Sequence, residues 1–377
     1  MPWSEESSAW VVLSRAPGLD IASLERALAP LGGARGIVEA SDAARLGASI
    51  PDAARRFLSS AAARILSAER DWLASPHHHV IPFTDMRYPP LLGTGRRRPV
   101  ALYLAGDPAV LALPQLAIVG SRNPTPQGRD TARWFSRHLA EWGLVITSGL
   151  AAGIDAEAHR GALDAGGRTL AVLGSGMDVI YPRANRDLER DIEASGAALS
   201  LFPLGTQPRR ANFPRRNAAI AALTLGTVVI EAAESSGSLI TATMARRRGK
   251  LVLAVPGSIA NPLSRGCHRL IRGGAVLVQS PHDIWLELRC SVDLGASGPV
   301  PPASGGPAFS GRGMDKDHKI LLDALGFDPA DLDLLVDRTG WKPEAVSSMM
   351  LILELEGHVQ PAPGGRYSRV ARSRGER

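Results

Sequence analysis

The chain has 377 residues, a formal net charge of +6 and a hydrophobic content of 45%, too long for one ordinary domain and apolar enough for at least one full core. Two cysteines, Cys267 and Cys290, exclude a disulfide framework, and neither stands in a metal-ligand spacing. No run approaches the ~18 apolar residues of a membrane span, and MPWSEESSAW lacks a basic leader region, so a cytoplasmic protein is expected.

Nearly all the positive charge is arginine, because only Lys250, Lys316, Lys319 and Lys342 are lysines. Guanidinium groups suit planar phosphate contacts, and a basic balance favours polyanionic partners. Composition alone does not decide for nucleic acid, since the chain is also rich in alanine and glycine.

Residues 1–75 show helical patterning broken by Pro-Gly and Gly-Gly turns, as in helix–hairpin–helix or SAM-like modules. His77, His78 and His79 are consecutive and do not converge on one ion; they read as a loop leading into a strand. VALYLAGD reads as a short strand. The core domain, residues 76–290, then alternates short apolar strands (LAIV, LVIT, TLAVL, ALSLF, VVIE, LVLAV, AVLV) with helical stretches. That alternation predicts an α/β fold with a Rossmann-like, doubly wound parallel sheet. Residues 291–315 are rich in Pro, Gly and Ser and read as a flexible linker. Residues 316–371 give three helical stretches and a hairpin turning at Pro-Gly-Gly, a winged helix.

In such a sheet, ligands bind outside the carboxyl ends of the strands. Small and hydroxylated residues follow four of them: Gly120-Ser121-Arg122, Ser148-Gly149 with Gly153, Gly174-Ser175-Gly176, and Ser236-Gly237-Ser238. Glycine admits close backbone approach and helix N-termini favour anions, so these loops predict a phosphate-binding crest. The G-x-G-x-x-G dinucleotide fingerprint, Walker A and the G-x-S-x-G elbow are all absent. Pro208–Asn217 instead carries Arg209, Arg210, Arg215 and Arg216 around Phe213, followed by Asn217. Arginines with an aromatic ring beside glycine loops are the composition of a single-strand groove. The alternative is a Phe213 that caps the core among solvated arginines. Arg246–Arg248 are expected at a helix C-terminus, where the dipole accounts for them. Asp155 is expected to cap a helix, and Glu231 to bind loop amides rather than act as an acid or base.

IVGSRNPTPQG, SGLAAGIDAEAHRGAL, GGRTLAVLGSGMDVIYPRAN, FPRRN, EAAESSGSLITATMA, AVPGS and GCHRLIRGGA resemble, in order, the motifs of the DNA-processing protein A (DprA/Smf) family. The resemblance covers about Tyr88 to Leu288. It implies a non-enzymatic homodimer that binds and protects single-stranded DNA and helps load the RecA recombinase in natural transformation; no cofactor need is indicated by the sequence. The implied strand-binding positions are Ser121-Arg122, Ser148-Gly149, Gly174-Ser175-Gly176, Arg215-Arg216-Asn217 and Ser236-Gly237-Ser238. Three departures stand out: Ala152 and Ala218 replace arginines usual in the family, and Ser200-Leu201-Phe202-Pro203 replaces S-E-Y-P. Arg209 and Arg210 are expected to compensate. Self-pairing is expected through the late part of the α/β domain, where Ile284, Trp285 and Leu288 form an apolar face that serves either the pairing or the core.

In the winged helix, the helix from Pro343 is expected to carry Glu344, Glu354 and Glu356 and no basic residue past Lys342. Sequence-specific duplex reading is therefore not expected. The alternative for the whole chain is a nucleotide hydrolase similar to the lysine-decarboxylase-like phosphoribohydrolases, although their P-G-G-x-G-T loop is replaced by EAAESSGSLIT. A third is a regulatory scaffold acting through the winged helix.

Overall fold

The computed structural model describes residues 4–60, 67–92, 98–291, 316–325 and 329–370. These form two compact units that divide near residue 300. The linker expected at 291–315 lies, but for Ser291, outside the described residues.

The larger unit opens with six helices: α1 (Glu5–Arg15), α2 (Ile21–Leu31), α3 (Gly33–Glu39), α4 (Asp42–Gly47), α5 (Asp52–Leu58) and α6 (Ser67–Leu73). Ser4 caps α1 by accepting from the Ser7 amide, and Asp20 caps α2 by accepting from Ser23. The helical character read for this stretch is therefore present, and its apolar side is shared with the sheet. Trp10, Leu13, Leu24 and Ile37 pack in one core with Val80, Tyr103, Ala171 and Leu188. Ser14 Oγ lies 2.6 Å from the Tyr103 hydroxyl, and Arg15 pairs with the buried Glu69 at 3.0 Å.

Nine strands follow: β1 (His78–Pro82), β2 (Ala101–Gly106), β3 (Gln115–Gly120), β4 (Val145–Ser148), β5 (Thr169–Leu173), β6 (Ala197–Ser200), β7 (Gly226–Ile230), β8 (Leu251–Ala254) and β9 (Val276–Leu277). Their order is β1-β2-β6-β5-β4-β3-β7-β8-β9. Strands β3 to β9 run parallel, while β1 and β2 extend the sheet antiparallel beyond β6. The crossovers are α7 (Pro126–Glu141), α8 (Ile154–Asp164), α9 (Arg186–Ser195), α10 (Asn212–Leu223), α11 (Ser238–Arg247) and α12 (Arg265–Arg272), with α13 (Pro281–Ser291) last. Central strands such as TLAVL are buried throughout because helices cover both faces.

The histidine run leads from a turn at exposed His77 into β1, and His78 serves packing. His78 lies in β1, its ring stacked 4.4 Å from Trp72 and its Nδ1 2.7 Å from the Trp72 carbonyl oxygen. Ile284, Trp285 and Leu288 on α13 are buried in the core, where Trp285 meets Trp142 edge-on at 6.1 Å. The apolar face left open by sequence is therefore core.

The chain winds outward from β3 to β6 and then returns to place β7 beside β3, so the sheet reverses direction there. This is the switch point where a crevice forms at the strand ends. The junction is tight: a Cβ at Gly120 would lie 1.9 Å from the Ile230 carbonyl oxygen. Just beyond, the Ser121 amide donates to the Glu231 carbonyl at 2.6 Å.

The smaller unit contains α14 (Lys316–Leu325), β10 (Ala330–Asp331), α15 (Leu332–Thr339), α16 (Pro343–Leu355), β11 (Val359–Ala362) and β12 (Arg366–Arg369). Leu321, Leu335, Val346, Met350 and Leu353 form its core, and the strands pair as β10-β12-β11. The β11–β12 turn uses Gly364 and Gly365 at φ 83° and 70°. Three helices with a wing match the reading from sequence. No helix among the described residues is long and apolar enough to cross a membrane.

Candidate nucleic-acid interface

The loops after β3, β4, β5, β6 and β7 all open on the carboxyl edge of the sheet. The residues singled out from sequence are brought to this edge, but they divide into an inner set and an outer set.

The inner set is spent on shaping the loops. Ser148 Oγ donates to the Ile118 carbonyl at 2.6 Å, and Ser175 Oγ to the Val179 carbonyl at 2.7 Å. Ser121 Oγ accepts from the Asn123 amide at 3.1 Å. Arg216 is buried on α10 and donates through Nη1 to the carbonyls of Gly149 and, at 3.0 Å, Val172. Its Nε donates to Asn217 Oδ1 at 2.9 Å. A Cβ at Gly149 would fall on the Arg216 guanidinium, so glycine there is a packing requirement. The Gly149 amide in turn donates to Asp155 Oδ2 at 3.2 Å.

Asp155 is therefore a loop clamp rather than the helix cap expected from sequence; Gly153 occupies the cap position without a side-chain bond. Asp155 and Arg216 are both interior groups. Burial raises the Asp155 carboxyl above its ordinary value and lowers the Arg216 guanidinium below its own, against their mutual attraction. Gly153 has φ 83°, which a side chain rarely adopts, and a Cβ there would sit 2.4 Å from the Ser121 carbonyl oxygen. Leu150 and Glu231 hold φ 55° and 48° at the same edge. Left-handed backbone at non-glycine residues is costly and concentrates at functional sites.

The outer set faces solvent. Arg122, Arg209, Arg210 and Arg215 are exposed around a half-buried Phe213. A Cβ at Gly174 would press within 3.0 Å of the Phe213 ring, so the glycine lets the ring seat against the loop. Arg122 lies 5.4 Å over the Phe213 ring centroid, and Arg215 lies 5.1 Å over Phe202. Gly237 is exposed with open space where a side chain would project. Ser236 and Ser238 flank it, their hydroxyls 2.6 Å apart.

Several contributors escaped sequence reading. Asn212 Nδ2 donates to the carbonyls of Gly174 at 3.0 Å and Gln207 at 3.2 Å, tying the loops after β5 and β6 together. Tyr181 projects from the loop after β5, its ring centroid 6.0 Å from that of Phe213. Glu231 accepts from Asn261 Nδ2 at 3.4 Å. Arg246 and Arg247 close α11 at its C-terminal end, as the dipole reading expects. In the winged helix, α16 opens on Pro343 and exposed Glu344, where a duplex reader carries basic or amide side chains, and exposes Leu351 and Leu355 further along.

The fold and the crest define a Rossmann-like protein with glycine loops, exposed guanidinium groups and an aromatic ring along one edge. The chain belongs to the DNA recombination-mediator protein A family, whose model matches residues 79–289; a DprA winged helix domain matches residues 301–365. It is 40% identical to Protein Smf of Escherichia coli over 323 residues, covering 85% of this chain and 84% of that one. It is 47% identical to DNA processing protein DprA of Streptococcus pneumoniae over 189 residues, covering 50% of this chain and 67% of that one. The X-ray structure of DprA from S. pneumoniae superposes with TM-score 0.61 at 35% identity, covering 76% of this chain and 99% of that chain. DNA processing protein A from Helicobacter pylori, solved for its single-stranded DNA binding mode, matches with TM-score 0.51 at 27% identity, covering 56% of this chain and 96% of that one.

Proposed function

We propose that the chain holds single-stranded DNA along the carboxyl edge of the sheet, without catalysis, and protects the strand and hands it to RecA during natural transformation. The carrying observation is the outer set: four exposed arginines around a half-seated aromatic ring, above loops whose inner hydrogen bonds are already satisfied. Exposed guanidinium groups neutralise phosphates, the ring stacks a base, and the fixed loops do not reorganise on binding. Arg216, Ser148, Ser175 and Gly149 serve this site as its frame. Arg122, Arg209, Arg210, Phe213, Arg215 and the Ser236–Ser238 turn make the contacts.

Two carboxylates at the crest have other tasks. Asp155 clamps the Gly149 amide and Glu231 holds Asn261, which argues against the hydrolase reading. Self-pairing is supported by exposed Leu277 on the edge strand β9 and exposed Leu286 on α13.

Fluorescence anisotropy of labelled single-stranded and duplex oligonucleotides at two salt concentrations tests the proposal. Tighter single-strand binding that weakens with salt supports it. Equal affinity for the two, or none for either, contradicts it.

A further inference from the structure

Tyr181 is the only aromatic side chain among the large apolar residues exposed in the described structure, at 45% exposure. Buried aromatic rings contribute to packing, whereas an exposed ring beside a basic edge is a stacking surface in need of a partner. Its loop is tied at both ends: Ser175 Oγ donates to the Val179 carbonyl at 2.7 Å, and Asn185 Nδ2 to the Leu150 carbonyl at 2.9 Å. Between them, the Gly176 amide donates to the Thr206 carbonyl at 2.8 Å. The ring is thus held out from a pinned loop.

We propose that Tyr181 is a second base-stacking platform beside Phe213, and that the pair gives this edge its preference for unpaired strands. The inference rests on the single-strand reading above and extends it to a specificity-determining residue. The two rings are tilted by 51° with centroids 6.0 Å apart. A base sandwiched between parallel rings needs about 7 Å, since each stacked layer takes about 3.4 Å. The rings therefore do not clamp one base between them; each offers a face to a different base of the strand. Duplex DNA keeps its bases stacked on one another and has no free face to give. Exposed Arg183, two residues further on, is placed to meet the adjoining phosphate.

The test compares the full chain with Tyr181→Ala and Tyr181→Phe, by anisotropy, on an oligothymidine strand and on a strand of equal length carrying abasic sites. Tyr181 lies outside the buried core, so thermal melting is expected to change little. Tyr181→Ala is expected to weaken the thymidine strand about tenfold, to leave the abasic strand within about twofold, and to preserve the salt slope. Tyr181→Phe is expected to bind like the parent. Equal loss on both strands, loss in Tyr181→Phe matching that in Tyr181→Ala, or no loss at all would overturn the inference. If the parent chain binds neither strand, the single-strand reading itself fails. If the parent binds and Tyr181→Ala is silent, only the stacking role fails.

Discussion

The guanidinium of Arg216 fills the space that a side chain at Gly149 would take, and it donates to the Gly149 carbonyl while Asp155 accepts from the Gly149 amide. One glycine is thereby gripped at both its amide and its carbonyl by two buried, oppositely charged groups. The loop after β4 owes its shape to this grip.

Removing one partner of such a buried pair leaves the other charge uncompensated. Arg216→Ala is expected to lower stability by about 3–5 kcal/mol in denaturant titration. Arg215→Ala, one residue earlier and exposed, is expected to leave stability within about 0.5 kcal/mol and to flatten the salt dependence of strand binding by about 0.7. A stable Arg216→Ala protein with normal loops would contradict the assignment.

The switch point gives a second contrast. Gly120→Ala drives a methyl group into the Ile230 carbonyl, whereas Gly237→Ala meets open space. The first is expected to cost about 3 kcal/mol as overpacking, the second less than about 0.5 kcal/mol. Melting curves of the two variants decide the point.

The alternation of strands and helices and the basic run around Phe213 were legible because both are local patterns. LAIV, TLAVL and VVIE announce buried parallel strands, and glycines after them mark the crest. What was not legible is which polar groups turn inward. Arg215 and Arg216 are adjacent and chemically identical, yet Arg215 points to solvent while Arg216, a step further round the same turn of α10, points to Val172 and Gly149. Asp155 read as a cap because its partner, the Gly149 amide, precedes it across a turn that only the fold closes. Tyr181 and Asn212 stand within the segments read from sequence, but their contacts were not legible, since Phe213 and Gly174 come from parts of the chain distant in sequence.

Glu189 on α9 is buried, and its Oε2 has no hydrogen-bond partner among the described residues. Burial, aided by Glu193, pushes its carboxyl up to about 7. A raised folded value means the native state keeps the proton, so this contribution is whole below about pH 4.5 and declines as pH rises through 7. Glu189→Gln is expected to stabilise the protein by about 3 kcal/mol at pH 8 and to have little effect at pH 4.5. Denaturant titrations at the two pH values check it, and equal effects at both would refute it.

With Leu351 and Leu355 exposed and no basic residue past Lys342, α16 lacks the arginine, lysine, asparagine and glutamine side chains that chiefly read base edges in a major groove. Removing residues 316–377 is therefore expected to leave single-strand affinity and its salt slope unchanged. Competition by duplexes of different sequence is expected to be uniformly weak. A loss of strand binding on truncation, measured by anisotropy, would place part of the interface in the winged helix.

The most direct measurement is the salt dependence of single-strand affinity for the parent chain and for a variant with Arg122, Arg209, Arg210 and Arg215 all changed to Ala. The account predicts an unchanged melting temperature and a slope of log K against log salt smaller by about 2.8, about 0.7 for each lost phosphate contact. An unchanged slope in a folded variant would mean that the strand lies elsewhere.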